Sequence, residues 1–278
     1  MRIIFAGTPQ VAVPALEELH QQHEIVAVLT SPDAPTGRGK KLTPSAVKVR
    51  ALELGLSVVH EFSELADAEL GVVVAYGKLF KEEQLALPEK GWVNLHFSLL
   101  PKYRGASPVQ SAILSGDTST GVTVFQLQKG MDDGPIVDSV DFDIAPNTTS
   151  DELFTQLSEF GAGALTKAVG QIESDTAQFE PQDNSHATYT QKFLKSDAKI
   201  NWAKPAVEIA HKINAFSSNP GAWFELHQPN KPPLRVVAIR ATVNESGELE
   251  LLKVKPAGKN AMDYKSWING LHGEYTFG

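Results

Sequence analysis

The sequence predicts an α/β protein built on a doubly wound, mostly parallel sheet, and three observations predict it. Short Val/Ile-rich runs recur through the first 130 or so residues. Segments with apolar residues at helical spacing alternate with them. Several of the runs are apolar throughout, as strands covered on both faces are, instead of alternating apolar and polar.

Arg2–Ala6 is the first such run and Gly7-Thr8-Pro9 its turn. Val11–His20 follows with Val11, Ala15, Leu16 and Leu19 on one helical face, then Ile25–Leu29 as a second β-branched strand. Ala46–Leu54 reads as a helix, Leu56–Val59 and Gly71–Tyr76 as strands, and Val93–His96 as another. Pro108–Leu114 is helical and Val122–Leu127 a strand. Thr149 and Glu152 form a capping-box signature ahead of an apolar helical run to Leu165. Gln182–Lys204 is polar and weakly periodic, as a linker is, and Ala206–Phe216 is helical again. Beyond Pro220-Gly221 come three strand-like stretches, Trp223–Leu226, Leu234–Ala241 and Leu249–Val254, so a small β-rich second domain is expected. The expected boundaries are 1–184 for the first domain, 185–204 for the linker and 205–278 for the second domain.

Composition supports a sizeable core: 42% of 278 residues are hydrophobic and 21% charged. No stretch approaches the roughly 20 apolar residues of a membrane span. The N-terminus lacks the apolar region and cleavage site of a signal peptide, which with the absence of cysteine predicts a cytoplasmic protein. Zero cysteines also exclude disulfides, thiolate nucleophiles and zinc–sulfur sites. The net charge of −8 is unevenly spread. Residues 188–278 hold 12 Lys/Arg against 8 Asp/Glu, a local +4, whereas residues 1–187 hold 13 against 25, a local −12. A polyanionic partner would therefore meet the C-terminal part.

Several chemistries lack their motifs. Phe5-Ala-Gly-Thr-Pro9 occupies the position of a dinucleotide loop but has one glycine and a proline where G-x-G-x-x-G is needed. No G-x-x-x-x-G-K-[ST] phosphate loop and no G-x-S-x-G nucleophile elbow occur. His20 and His23, three apart in a Gln/Glu-rich patch, read as a solvated helix end, and no metal site is supported.

The informative block is Val93-Asn94-Leu95-His96-Phe97-Ser98-Leu99-Leu100-Pro101. Positions two apart on a strand point the same way, so Asn94 and His96 share a face opposite Val93, Leu95 and Phe97. Polar groups at the end of an apolar strand are costly to bury unless used or satisfied, and ligands gather at the carboxyl ends of strands in open α/β sheets. The second block, Lys129-Gly130-Met131-Asp132-Asp133-Gly134-Pro135, follows the Val122–Leu127 strand. If that strand is parallel, the loop leaves at the same edge, where Asp132 could orient and charge-stabilise His96. A satisfied Asn and His, and an ordinary Asp-Gly turn, are the plain alternatives for the two blocks.

Taken in order, these blocks resemble the methionyl-tRNA formyltransferases and, more broadly, the folate-dependent formyltransferases. Ile3–Pro9 looks like the family's first strand and turn, and Ser31–Lys48 like its basic loop. Val72-Val-Val-Ala-Tyr-Gly77 resembles the strand and turn beside the folate site. Asn94–Pro101 with Arg104-Gly105-Ala106 resembles the formyltransferase signature, and Lys255–Met262 a C-terminal segment of the methionyl-tRNA branch. The resemblance implies a Rossmann-like catalytic domain followed by a shortened OB-like, tRNA-binding domain. The implied donor is 10-formyltetrahydrofolate and the implied acceptor the α-amine of methionine on initiator Met-tRNA, with no metal and a monomeric enzyme. It casts Asn94 and a protonated His96 as donors to the charge developing on the formyl oxygen. Asp132 pairs with His96, raises its pKa and helps pass the amine's proton towards the folate nitrogen. Ala75, Tyr76, Gly77, Ser98, Leu99, Leu100 and Pro101 are the implied folate residues. Arg38, Lys40 and Lys41 are the implied tRNA residues, positioning the acceptor stem through its phosphates. The C-terminal part is shorter than is usual for the family, and Ala215–Gly221 replaces a more aromatic turn. Three other readings stay open: a transferase for an amino sugar or another small amine, a hydrolase of formyl-folate, and a non-catalytic RNA-binding module.

Overall fold

The computed structural model describes residues 1–36 and 39–278. In chain order its elements are β1 (Arg2–Gly7), α1 (Val13–Gln22), β2 (Glu24–Leu29), β3 (Ala34–Thr36), β4 (Lys41–Thr43), α2 (Ala46–Glu53), β5 (Val58–Val59), β6 (Leu70–Val74), α3 (Glu82–Leu85), β7 (Trp92–His96) and β8 (Arg104–Gly105). They continue as α4 (Pro108–Ser115), β9 (Ser119–Gln126), β10 (Ile136–Asp143), α5 (Ser150–Glu173), β11 (Tyr189–Thr190), α6 (Ala206–Ala215), β12 (Ala222–His227), β13 (Leu234–Val243), β14 (Leu249–Pro256), β15 (Met262–Asp263), α7 (Tyr264–Asn269) and β16 (Thr276–Phe277). The chain divides into two compact units. One comprises Met1–Gly105, Thr120–Phe142 and Phe154–Tyr189; the other comprises Ala106–Ser119, Asp143–Leu153 and Thr190–Gly278.

The first unit holds the seven-stranded sheet, ordered β10-β9-β7-β6-β1-β2-β5. β1, β2, β5, β6 and β7 are mutually parallel where they pair, as their continuous apolar runs require. β9 departs from that expectation: it pairs antiparallel with β7, with Gln126 opposite Val93 and Thr123 opposite His96. The chain therefore leaves β9 at the amino end of β7, and the Asp132 loop must fold back to reach the carboxyl end.

The two faces of β7 have different fates. On the odd face, Leu95 packs under α5, where a Cβ on Gly161 would stand 3.1 Å from Leu95 and 3.2 Å from Val122. Phe97 meets Phe154 edge-on at 6.0 Å. On the even face, Trp92 is fully buried in an apolar cluster with Ile4, Ala6, Leu29, Val73 and Tyr76, flanked by Phe62 and Phe80. Gly71 on β6 makes room for that indole: a Cβ there would lie 2.2 Å from the Trp92 ring. Trp92, Asn94 and His96 thus follow one another along one face, from apolar core to polar strand end.

α5 opens with the expected capping box. Thr149 N–H donates to Glu152 Oε2 at 3.0 Å and the Thr149 hydroxyl to the same oxygen at 2.9 Å. The helix then runs to Glu173, beyond the Leu165 at which the apolar pattern fades, because its later turns still bury Leu165, Ala168, Val169 and Ile172. His23 also departs from a solvated helix end. Its side chain is 4% exposed and faces Glu173 at 3.7 Å, with the Met1 amine beside both.

The second unit carries a five-stranded antiparallel sheet, ordered β15-β14-β13-β12-β16, and α6. The register of β13 against β14 slips between Arg240 and Ala241. The buried Asn214 of α6 takes up both backbone groups of Ala241, donating to its carbonyl and accepting from its N–H, each at 3.0 Å.

Candidate functional site

His96 ends β7, 6% exposed, against the Phe125 ring at 6.3 Å. Its Nε2 lies 3.0 Å from the carbonyl oxygen of Tyr103. A carbonyl can only accept, so Nε2 carries a proton and donates it. In the neutral ring Nδ1 is then the unprotonated nitrogen, and it stands 3.8 Å from Asp132 Oδ2, within ion-pair range but too far for a direct hydrogen bond.

Burial pushes the imidazole below the ordinary histidine value of 6.5; the Asp132 charge and the Tyr103 hydrogen bond raise it without winning. This corrects the expectation of a protonated His96. The carboxylate acts in the expected direction, but desolvation of a buried ring costs more than one partner at 3.8 Å returns. At neutral pH the pair therefore presents a lone pair and a carboxylate side by side, an arrangement that lacks one proton. An incoming ammonium group carries that proton and the charge to match.

Asp132 is held from several sides. It adopts a left-handed backbone with φ +49°, uncommon outside glycine and tolerated best by Asp and Asn. Its Oδ2 accepts the Gly105 N–H at 2.7 Å, which aims the carboxylate back at the end of β7. Asn94 sits two residues before His96 and is half-buried. Its side-chain amide has no hydrogen-bond partner among the described residues, so it is available to a ligand.

The loop after β7 is fixed by one hydroxyl. Fully buried Thr123 donates to the Ser98 carbonyl at 2.7 Å and accepts from the Leu100 N–H at 3.1 Å. Ser98, also fully buried, spends its own hydroxyl on the Lys102 carbonyl at 2.6 Å. Leu99 packs on Gly121, where a Cβ would lie 2.5 Å from its methyl and 2.3 Å from the Val140 carbonyl oxygen. Leu100 and Pro101 complete the loop through a cis peptide, with Leu100 buried and Pro101 half-buried.

The turn Ala75–Gly77 leaves β6, whose Val73 pairs beside Asn94. Ala75 is exposed with φ +49° and Gly77 has φ +82° with open space around it. Tyr76 is different: its ring is 3% exposed, edge-on to Phe80 at 5.9 Å and Phe62 at 6.5 Å. A ligand could reach the turn's backbone and the partly open Leu99 and Pro101, but neither the Tyr76 ring nor the Ser98 hydroxyl. Of the three basic loop residues, Arg38 lies outside the described residues. Lys40, with φ +46°, and Lys41 are exposed on the β3–β4 hairpin.

Sequence reasoning did not include the groups that hold these side chains. Arg104, 1% exposed, sits beneath the loops and donates to Gln182 and Asn184. An arginine next to Gly105 in the signature was the available signal, though its burial is not displayed by the sequence. For Gln182, in a polar stretch read as linker, there was none.

A buried histidine with one nitrogen fixed and the other facing a carboxylate, beside an amide with no partner among the described residues at a strand end, suits acyl transfer to an amine. The formyl transferase family model matches residues 1–169, and the formyl transferase C-terminal domain model matches residues 192–248. The chain belongs to the formyl transferase family. It is 41% identical over 99% of its length to 99% of a methionyl-tRNA formyltransferase of Leifsonia xyli subsp. xyli. It is 38% identical over 98% of its length to 97% of the one from Paenarthrobacter aurescens. That last match spans 301 residues against 278 here, so the relative's extra length lies inside the matched span. Among solved structures, an N-formyltransferase from Helicobacter canadensis, in complex with folinic acid and dTDP-3-aminofucose, is 25% identical. It superposes at a TM-score of 0.68 over 87% of each chain. Methionyl-tRNA formyltransferase from Clostridium thermocellum shares the fold at a TM-score of 0.63, with 16% identity over 95% of this chain and 99% of that one.

Proposed function

We propose that this protein transfers the formyl group of 10-formyltetrahydrofolate to the α-amine of methionine on initiator Met-tRNA, as a cytoplasmic monomer. The observation that carries the chemistry is the unprotonated Nδ1 of His96 beside Asp132, with the Asn94 amide, which has no hydrogen-bond partner among the described residues, two residues away. The likeness to relatives named methionyl-tRNA formyltransferase, at 38–41% over nearly the full length, favours this acceptor over a sugar amine.

The donor supplies an activated formyl carbon. The ammonium form of the acceptor is drawn to Asp132, and Nδ1 of neutral His96 takes one of its protons, which frees the amine's lone pair to attack. The Asn94 amide donates to the formyl oxygen as negative charge builds there, a contribution of roughly 3–4 kcal/mol for a well-placed donor. His96, now charged and stabilised by Asp132, returns a proton to the departing nitrogen as the carbon–nitrogen bond breaks. One bond to nitrogen forms and one breaks; of the two protons the ammonium sheds, one reaches the leaving nitrogen by way of His96 and the other passes to solvent. Ala75, Gly77, Leu99 and Pro101 would hold the donor by backbone and apolar contact.

For the partner, Lys40 and Lys41 on the β3–β4 hairpin, together with Arg38 of the same basic stretch of sequence, would meet acceptor-stem phosphates. Residues 205–278 form the tRNA-binding domain, 1–184 the catalytic domain and 185–204 the connection between them.

The test is a formyl-transfer assay with charged initiator Met-tRNA beside uncharged tRNA and a panel of amino sugars. Formyl-methionine arising from charged tRNA alone is the expected result. Activity on a sugar amine with none on the tRNA would leave the chemistry standing and overturn the partner.

A further inference from the structure

Asp132 holds an unfavourable left-handed backbone on a loop that has doubled back across the sheet, so something must keep it there. One hydrogen bond to its carboxylate, from Gly105, fixes the side chain. The backbone is fixed by Gln182, fifty residues along the chain: its Nε2 donates to the carbonyl of Asp132 at 2.9 Å and to that of Gly134 at 2.7 Å. The two carbonyls bracket Asp133, so one amide group clamps both ends of the turn. A Cβ on Gly134 would stand 1.8 Å from the Gln126 carbonyl oxygen, so the loop passes close over the end of β9 with little room to shift.

The orientation of the Gln182 amide follows from its neighbours. Its Oε1 accepts from Arg104 Nε at 3.0 Å and from an Arg104 terminal nitrogen at 2.7 Å. Arginine has no acceptor and a carbonyl has no donor, so the amide flipped end for end would oppose all four contacts. Arg104 is itself buried at 1% exposure and further held by Asn184 at 2.8 Å and by the Tyr189 hydroxyl at 3.3 Å. A cation on the amide oxygen also polarises the amide and strengthens the two bonds its nitrogen donates.

We infer that Gln182 is a positioning residue for the reaction, clamping the Asp132 loop through the Asp132 and Gly134 carbonyls, and that buried Arg104 sets the direction in which the clamp faces. The inference rests on the reading of Asp132 as a catalytic group.

Gln182→Glu separates the clamp from the scaffold. The carboxylate still accepts from Arg104, so the buried guanidinium keeps a partner, but it has no N–H to donate and sets an oxygen against two carbonyl oxygens. Steady-state formyl transfer is measured for the unsubstituted protein, Gln182→Glu, Asp132→Asn and the double variant, with thermal melting of each. Expected is a loss of at least 10-fold in kcat for Gln182→Glu, with KM for both substrates within twofold, and a double variant no slower than Asp132→Asn alone. Such non-additivity is what action through Asp132 requires. Equal losses in both backgrounds would make Gln182 a structural residue and overturn the inference. So would an unchanged kcat in Gln182→Glu while Asp132→Asn is slow. A fully active Asp132→Asn would instead overturn the catalytic reading of Asp132 and, with it, any role in positioning it. Should Gln182→Glu fail to fold, Gln182→Asn takes its place in the same cycle: it retains the amide chemistry one methylene too short, and the same outcomes apply.

Discussion

The carboxyl end of β7 and the β3–β4 hairpin are held in opposite ways, and the difference suits the different roles proposed for them. At the end of β7, His96, Ser98 and Thr123 are buried, and Asp132 is fixed through both its carboxylate and its carbonyl. The hairpin has the reverse character. Every described residue from Ala34 to Thr43 is exposed, Leu42 at 64%, and the strands are three residues each. Bond making needs atoms held to within a fraction of an ångström, which only buried, over-determined contacts supply. Phosphate contact needs charge within reach of a polyanion, and a solvated lysine on a short ribbon supplies that at little cost in desolvation. Substitutions at the first region should therefore be steep and insensitive to salt, and those at the second shallow and governed by it.

The steepest case is His96→Ala. Removing the proton acceptor should lower kcat by at least 100-fold, and by up to about 10⁴-fold, with tRNA affinity unchanged. Turnover that stays within a few-fold of the unsubstituted protein would remove His96 from the mechanism. The pH profile sharpens the same point. Because burial lowers the His96 pKa below 6.5, the neutral ring the proposed mechanism uses is already present at pH 7. The acid limb of kcat/KM should fall below pH 6.5. Asp132→Asn removes the charge that raises the pKa, so what activity remains should persist to lower pH than before. A limb that moves upward would contradict the geometry. The sign carries over to stability. A depressed folded pKa contributes stability that is present above the unfolded value near 6.5 and lost as pH falls through the folded one.

Thr123→Val is intermediate. The two side chains have nearly the same shape, but valine leaves the Ser98 carbonyl and the Leu100 N–H without their shared partner in a buried loop. The cost should be about 2–4 kcal/mol of stability, read from denaturant melts. KM for the folate donor should rise as the Leu99–Pro101 loop loosens. Unchanged stability would mean that water replaces the hydroxyl there.

How much of this could be read beforehand follows from the range of the physics involved. Asn94 and His96 were legible because a strand's two-residue period is local, and the capping box at Thr149 and Glu152 because it spans one helical turn. The pairing of His96 with Asp132 links positions 36 apart and depended on the direction of β9, which hydropathy does not encode. An antiparallel β9 brings the loop in from the opposite end of β7. Tyr76 shows another limit. Its strand end was legible, but whether its ring points outward or into the cluster around Trp92 depends on how Phe62 and Phe80 pack around it, which the local pattern does not display. The lowered pKa of His96 belongs to the same class, since burial is a property of the assembled site and the sequence displays only the carboxylate.

The smallest effect is expected at the hairpin, where the proposed phosphate contact tests the comparison most directly. Lys40→Ala with Lys41→Ala removes two exposed cations from a ribbon that contributes little to the core. Folding and kcat at saturating tRNA should not change. Each phosphate left unneutralised by the substitutions should lower the steepness of log K against log salt by about one. The double substitution should thus weaken tRNA binding several-fold at low salt and progressively less as salt rises, until the two proteins converge. A salt slope identical to that of the unsubstituted protein would mean that the hairpin touches no phosphate. A fall in kcat at saturating tRNA would mean that the ribbon helps to place the acceptor amine at His96, and the division between a rigid chemical centre and an adaptable contact surface would no longer hold.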